Sequence, residues 1–203
     1  GSDSPTPESG GDGVQRIAAA YAMIDFEPLD RLRVVTGVRA EKTEISTRAA
    51  ASGTSFRAAA IDQTDYLPAL SLVYRLSENT NLRAAYGRTL ARPLYHELAD
   101  IRVEDPFRDK FRAGNPDLQL SDIDNFDLRW EYYPSNAELI SVAFFHKDFR
   151  DPIETLFIPG GGSGGIKTFT FGNARYARST GIEVDVRKTM TGIVEHPFWE
   201  RFG

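Results

Sequence analysis

The stretch from Asp124 to Lys147 reads DNFDLRWEYY, then PSNA, then ELISVAFFHK, and it decides the class of fold. In its first ten residues, apolar side chains alternate with polar ones: Phe126, Leu128, Trp130 and Tyr132 against Asn125, Asp127, Arg129 and Glu131. A period of two predicts a β-strand with one apolar face. The PSNA segment carries turn residues, so the stretch predicts two antiparallel strands joined by a tight turn.

Similar segments recur along the chain, and short turns alternate with long polar loops between them. We predict about eight strands, at residues 14–26, 32–39, 66–76, 82–93, 124–133, 138–147, 167–177 and 180–188. The short turns fall at 27–30, 77–81 and 134–137, and the long loops at 47–64, 93–120 and 149–166. Strands of roughly ten residues with this asymmetry of connections are typical of a transmembrane β-barrel. The expected fold is therefore all-β, an antiparallel up-and-down meander that forms a fragment of a large barrel.

The alternation also predicts what each face contacts. The apolar residues of the strands should face lipid, and Arg88 should reach the polar interface. The charged residues Arg83, Asp127, Arg129 and Glu131 should face the lumen. Aromatic residues near strand ends are interpreted as an interfacial girdle: Trp130, Tyr132, Tyr133, Phe144 and Phe145.

Composition excludes several classes of protein. The chain has 203 residues, 41% of them hydrophobic, and a net charge of −5, which argues against nucleic acid as a partner. Mean hydropathy is −0.36. No apolar run reaches the roughly eighteen residues of a transmembrane helix. The chain contains no cysteine, so disulfide and thiolate chemistry are excluded.

The two ends suggest a piece of a longer protein. Residues 1–12 are rich in Pro, Gly and Ser and predict a flexible tag or loop remnant. Gly1-Ser2 resembles a cloning scar, and the chain stops at Gly203 where another strand is expected. Residues 13–203 are therefore interpreted as a partial barrel.

A series of short motifs resembles the β-barrel of TonB-dependent outer-membrane receptors. The series runs YGRTLARP (86–93), Glu97-Leu98, GNPDL (114–118), NFDL (125–128), Glu131, DPIE (151–154), Asn173 and GIE (181–183). The motifs occur in the order typical of the family and cover residues 14–200. We assign a structural role to Tyr86, Gly87, Arg92, Pro93, Gly114, Asn115, Pro116, Asn125, Gly181 and Glu183. Gly114-Asn-Pro should form a tight turn in which Gly and Asn supply positive φ angles.

The resemblance implies a barrel of about twenty-two strands around an N-terminal plug, of which this chain would supply roughly a third. The plug, the TonB box and the C-terminal strand are expected elsewhere. The implied function is active import of a scarce nutrient, a ferric siderophore or similar chelate, with energy from TonB. The implied partners are lipid of a Gram-negative outer membrane, plug, TonB and a small chelate. The isolated chain should self-associate through its open sheet edges.

The loop at 93–120 carries the candidate ligand contacts: Tyr95, His96, Arg102, Arg108, Lys110 and Arg112. Arginine side chains match carboxylate or phosphate groups, so an anionic chelate is one interpretation of the four basic residues. Pairing with Glu104, Asp105 and Asp109 in the same loop is the favoured one. His96 is either a contact to a metal chelate or an ordinary loop residue.

No motif supports catalysis, a cofactor or a bound metal. The sequence has no Gly-x-Ser-x-Gly and no P-loop, and GGGSGG (160–165) lacks the Lys and helix of a phosphate site. That Gly-rich stretch is native or an engineered linker. The three histidines, His96, His146 and His196, lie far apart in sequence. An enzyme on a β-scaffold has no support, and a soluble carbohydrate-binding β-sandwich remains the alternative; it would bury Phe126, Leu128 and Trp130.

Overall fold

A computed structural model describes residues 10–50, 57–105, 110–135, 137–159 and 167–189. Over these ranges the chain forms eleven strands and a single four-residue helix. The strands are β1 (Gly10–Leu29), β2 (Leu32–Ala50), β3 (Ala59–Ser77), β4 (Thr80–Ala91), β5 (Arg102–Asp105), β6 (Lys110–Ala113), β7 (Ser121–Tyr132), β8 (Leu139–Arg150), β9 (Ile153–Ile158), β10 (Lys167–Asn173) and β11 (Tyr176–Arg187). The helix, α1, spans Tyr95–Leu98. No helix in the described part of the chain is long and apolar enough to cross a membrane.

Seven strands form one antiparallel sheet, which we call the wall. Its order is β1-β2-β3-β4-β7-β8-β11, so each strand pairs with the next wall strand along the chain. One row of paired residues crosses the whole wall: Phe26, Val34, Leu72, Ala84, Leu128, Phe144 and Ile182. The predicted all-β antiparallel meander is confirmed.

The outward face of the wall is apolar and uncovered. Phe126 is 43% exposed, Leu128 47% and Trp130 38%, and the aromatic rings of Trp130 and Tyr132 stack with centroids 6.2 Å apart. A soluble β-sandwich would bury these three side chains in a core, so the sandwich alternative is wrong for this chain. The exposed stripe has the chemistry of a surface that contacts lipid.

The stripe does not end at the same row on every strand. Towards the long loops, the last aliphatic outward residue of β11 is Ile182, and Thr180 and Arg178 follow it on the same face. On β1 the apolar residues continue to Ala18, well past Phe26, which is the residue in the row of Ile182. The edge of the stripe is therefore staggered across the sheet.

Three residues of the expected aromatic girdle lie elsewhere. Phe145 points to the inner face, where its ring covers Gly181, because it is one position out of phase with outward Phe144. Tyr133 lies beyond the end of β7 and donates its hydroxyl to Glu131 on the inner face. Phe144 itself lies in the middle row of the wall. Only Trp130 and Tyr132 fit the prediction, because a position near a strand end does not say on which face of the sheet the side chain lies.

The predicted strand at 167–177 is wrong as a wall strand. Residues 167–173 form β10, which pairs with β9 and, in parallel, with β6 in a second sheet of order β5-β6-β10-β9. The wall continues directly from β8 to β11. The wall thus has seven strands where the sequence suggested eight, because β10 is as apolar as a wall strand but buries its side chains against other loops.

The predicted loop at 47–64 is mostly strand. The ladder between β2 and β3 runs from the short turn up to the Thr47–Ala59 pair. Polar residues on both faces hide this extension from an analysis of apolar alternation. The expected loops at 93–120 and 149–166 likewise contain α1, β5, β6 and β9. β1 begins at Gly10, within the range predicted as an arm.

The candidate ligand-binding mouth

The second sheet and α1 form a compact unit, which we call the cap. Its core joins Leu98, Leu118 and Phe171 of the cap to Ile45 and Ala59 on the extended β2–β3 hairpin. Ile45 belongs to the same face of β2 as Arg39 and Glu41, opposite the outward apolar stripe, since side chains alternate along a strand. The cap therefore folds over the inner side of the wall, where the mouth of a closed barrel would lie.

Gly114 and Asn115 fasten the cap through their backbone and side-chain amides. The backbone N–H of Asn115 donates to Glu97 O (2.6 Å), and its side chain donates to Phe171 O (2.9 Å). A side chain on Gly114 would collide with the carbonyl of Ala99. Neither residue has a positive φ, because Asp151 is the only non-glycine residue with one among the described ranges and Gly114 lies outside that region. The predicted φ role was wrong: Gly114 serves close approach.

Asn173 joins β10 to the start of the wall strand β7. Its side chain donates to Asp151 O (2.7 Å) and to Gln119 O (3.1 Å), and accepts from the N–H of Gln119 (2.9 Å). Ser121 donates its hydroxyl to the same carbonyl of Asp151 (2.8 Å). Asp151 has φ 52°, a left-handed conformation that Asp tolerates. These contacts orient the tip of β8 and the return of the chain from the cap.

The family-like residues around β4 hold the upper wall together. Arg92 pairs with buried Glu41, which also binds Arg39 at 2.6 Å. On the outward face Tyr86 donates to Asp124 (2.8 Å), and on the inner face the Asn125 amide donates to Gly87 O (3.0 Å).

The remaining assigned residues show varied environments. Pro93 is buried, Pro116 lies in the turn before β7 and Gly181 lies beneath Phe145. Glu183 is exposed on the inner face. For these residues the structure gives positions, and their structural roles stay predictions.

Arg57 ties the cap to the base of β3. Its guanidinium makes two hydrogen bonds to the carboxylate of Asp117 (2.8 and 2.6 Å), and its backbone N–H donates to Asp100 (3.0 Å). The hydrogen bonds from Arg57 lower the pKa of the Asp117 carboxyl and raise that of the guanidinium. The pair is exposed, so it orients the loop more than it stabilises it.

Tyr95 and His96 border a small cavity at the inner side of the mouth. The cavity has a volume of about 200 Å³ and is lined by Asp12, Gly13, Thr47, Tyr95, His96, Ala99 and Ile101. The ring of Tyr95 lies against Gly13, and the imidazole of His96 meets Phe171 edge to face at 5.8 Å. The structure thus brings two of the six predicted contacts to one concave surface.

The basic candidates are not gathered at that cavity. Arg102 stacks on Phe111, 4.1 Å from the ring centroid, and donates to Thr168 (3.1 Å). Arg112 is exposed, and Lys110 stands opposite Asp105 in the β5–β6 ladder. Arg108 lies outside the described residues, as do His196 and the stretch 160–165. Within the described ranges no three His, Asp or Glu side chains are placed to hold a metal ion.

The sequence pattern does not reveal the other half of the cavity. Asp12 lies in the predicted arm, Gly13 at its border and Thr47 in a predicted loop, because their segments lack apolar alternation. The one available signal was that a Gly-rich segment next to a strand allows an aromatic ring to approach the backbone.

Comparison with known families and structures accounts for these features together. The family model for TonB dependent receptor-like β-barrels matches residues 1–202. The chain belongs to this family. Comparison with curated proteins gives no match.

Solved receptors share the fold at low sequence identity. The hemophore receptor HasR of Serratia marcescens aligns with a TM-score of 0.71 at 14% identity, over 87% of this chain and 32% of that one. The siderophore receptor PirA of Pseudomonas aeruginosa aligns at 0.59 and 15%, over 88% and 40%. The alcaligin outer-membrane receptor FauA of Bordetella pertussis aligns at 0.58 and 16%, over 87% and 27%. The chain therefore spans well under half the length of these receptors.

Proposed function

We propose that this chain forms part of the wall and the mouth of an active importer in the outer membrane of a Gram-negative bacterium. Its cargo is a scarce nutrient, a ferric siderophore or a similar chelate, and TonB supplies the energy. Family membership supports the import role. The names of the similar receptors support the cargo class, since they include receptors for a hemophore with heme and for siderophores.

The observation that carries the proposal is the position of the cap. One face of the wall is apolar and exposed, and the cap is packed against the opposite face, above the level at which the apolar stripe ends. This arrangement suits a lipid-facing barrel whose loops fold inward over a ligand entrance.

Tyr95 and His96 are the proposed ligand contacts. Both side chains are exposed beside the mouth cavity, and both can bond to a polar chelate while presenting an aromatic surface. Arg102, Arg108, Lys110 and Arg112 are proposed to attract an anionic chelate to the cap. Stacking on Phe111 holds the guanidinium of Arg102 in place, so a bound anion would cost it little additional conformational entropy.

Uptake by the full-length receptor tests the proposal. Cells that lack their other iron receptors would be given ⁵⁵Fe as a ferric catecholate, as a ferric hydroxamate or in heme, with a strain lacking TonB in parallel. We expect TonB-dependent uptake of one probe, and a clear loss of affinity in the double variant Tyr95→Ala, His96→Ala.

The matched control is His146→Ala. His146 lies on the outward face, opposite to the face that the cap covers, and its ring is hydrogen-bonded to Thr180 at 2.7 Å. It should leave uptake unchanged. Uptake of no probe, or equal uptake without TonB, would refute the import role; equal loss in both variants would refute the ligand site.

A further inference from the structure

The mouth cavity is too small to hold a whole chelate. Its volume of about 200 Å³ lies below the roughly 300–1,000 Å³ of a pocket that encloses a drug-sized ligand. Most of a bound chelate must therefore rest on a neighbouring surface. His96 indicates which surface, because its ring meets Phe171 edge to face with centroids 5.8 Å apart. Phe171 lies on β10, so the cavity borders the sheet of the cap.

One face of the cap sheet is aromatic. Phe169 and Phe171 are two positions apart on β10 and share a face, and the ladder places Phe157 of β9 opposite Phe169. The ring centroids of Phe157 and Phe169 are 5.7 Å apart. Phe171 is buried in the core of the cap, whereas Phe157 is 53% exposed. These three phenylalanines, which we call the aromatic face, lead from the cavity to an exposed end of the sheet.

The aromatic face also carries a surplus of positive charge. Arg112 of β6 lies opposite Phe169 in the parallel ladder and is exposed, as is Lys167, two residues before Phe169. By register, the rows on this face contain three basic residues and one acidic residue: Lys110, Arg112, Lys167 and Asp105. The rows on the opposite face contain one basic residue and two acidic ones: Arg102, Glu104 and Glu154. The aromatic face is thus the side of the cap that attracts an anion.

Aromatic rings next to cations favour one kind of ligand. Phenylalanine rings pack on another aromatic ring in offset or edge-to-face arrangements, which an aliphatic ligand cannot reproduce. The planar guanidinium of arginine bonds to a pair of oxygen atoms and also stacks on aromatic rings. A ligand that satisfies both is aromatic and negatively charged. Among iron chelates this describes the catecholates and the porphyrins that carry carboxylates, and it does not describe the neutral, aliphatic hydroxamates.

We infer that the aromatic face selects the cargo, and that the cargo is an aromatic, anionic chelate. One end of the chelate enters the cavity at Tyr95 and His96, its rings lie on Phe157 and Phe169, and its negative charge faces Arg112. The inference rests on the proposed function, since it names the class of chelate that the same mouth binds.

Binding to the purified full-length receptor in detergent tests the site without any need for transport. The probes are the gallium(III) complexes of a tris-catecholate, of a tris-hydroxamate and of protoporphyrin IX, and calorimetry gives the Kd of each. Phe157→Ala is the test variant and Leu156→Ala its matched control. Leu156 is the next residue on β9 and 46% exposed, but it lies on the opposite face, where it covers Gly172.

We expect the catecholate or the porphyrin to bind about tenfold or more tightly than the hydroxamate. Phe157→Ala should weaken that binding about tenfold, Phe157→Trp should preserve it, and Leu156→Ala should leave it unchanged. Arg112→Gln should weaken it about fivefold and make it less sensitive to added salt, because one charged contact is lost. The aromatic probe that binds identifies the source of the cargo.

Preferred binding of the hydroxamate, no binding of any probe, or equal effects of Phe157→Ala and Leu156→Ala would each overturn the inference. The two proposals fail separately. TonB-dependent uptake of a hydroxamate would keep the import role and remove the aromatic class of cargo. Binding of an aromatic probe that depends on Phe157, without any uptake, would keep the site and remove the import role.

Discussion

Gly114 lies where the chain has no space for a side chain. The carbonyl of Ala99 occupies the position that a Cβ would take, and it belongs to a backbone that the hydrogen bond from Asn115 N–H to Glu97 holds in place. Backbone atoms cannot rotate away as a flexible side chain can. The turn therefore depends on glycine for its size and not for its conformational freedom.

Gly114→Ala should consequently loosen the cap. We expect a loss of about 2 kcal/mol or more in local stability, the scale of a steric clash that only backbone movement relieves. Limited proteolysis of the full-length receptor should show faster cleavage within 94–120. Gly87→Ala is the control, with open space around its Cβ, and should change nothing or stabilise β4 slightly. Equal cleavage rates in both variants would contradict the steric explanation.

Asp124 connects three strands on the outward face. Its carboxylate accepts hydrogen bonds from Arg88 (2.9 Å), Arg150 (2.7 Å) and Tyr86 (2.8 Å). Asp124→Ala should lower wall stability by about 1–2 kcal/mol, because three donors lose a partner at a partly exposed site.

The loss at Asp124 can be measured as the temperature at which the receptor in detergent loses its folded mobility on a gel. Asp122→Ala, two residues away on the same face, removes a carboxylate that lies near Arg88 but does not accept the three hydrogen bonds described for Asp124. If both variants shift the transition equally, the loss reflects charge alone and the network at Asp124 is not responsible.

At the scale of elements, the cap is a small hydrophobic unit whose stability depends on few residues. Leu98 is fully buried at the contact between α1 and the β2–β3 hairpin. Leu98→Ala should destabilise the cap by about 3 kcal/mol, as is usual for a buried leucine. Hydrogen exchange should accelerate in β5, β6 and β10 but not in the wall, whereas Leu94→Ala, 58% exposed, should have little effect. Uniform acceleration would mean that cap and wall unfold together.

The sequence predicts the wall well and the cap poorly, for a physical reason. Each wall strand contacts apolar surroundings on one face and polar surroundings on the other. Every second residue is therefore apolar, as at Phe126, Leu128 and Trp130, and this alternation can be recognised in the sequence. A strand such as β10 is buried against other loops, and its apolar residues could equally belong to a lipid-facing strand. The cavity at Tyr95 needs Gly13 and Thr47 from distant segments, which no local pattern reveals.

At the scale of the whole molecule, the wall has two open edges. In the described residues β1 pairs only with β2, and β11 only with β8, so both strands present free backbone groups beside an apolar face. In plain buffer the isolated chain should self-associate, and in mild detergent it should give β-rich circular dichroism with a defined mass by light scattering. A monodisperse monomer in plain buffer, unchanged by detergent, would contradict a lipid-facing wall.

The staggered edge of the apolar stripe determines the tilt of the strands relative to the membrane normal. On β1 the stripe extends about eight residues further towards the long loops than it does on β11. This difference is ~26 Å at a rise of ~3.3 Å per residue. Six strand spacings of ~4.8 Å separate those two strands, so a level membrane surface requires strands inclined by ~40° to its normal. Twenty residues of β1 then climb only ~50 Å, about twice the ~25 Å height of a lipid-facing band. The part of β1 that extends beyond the lipid-facing band forms a rim, and this rim holds the cap outside the lipid.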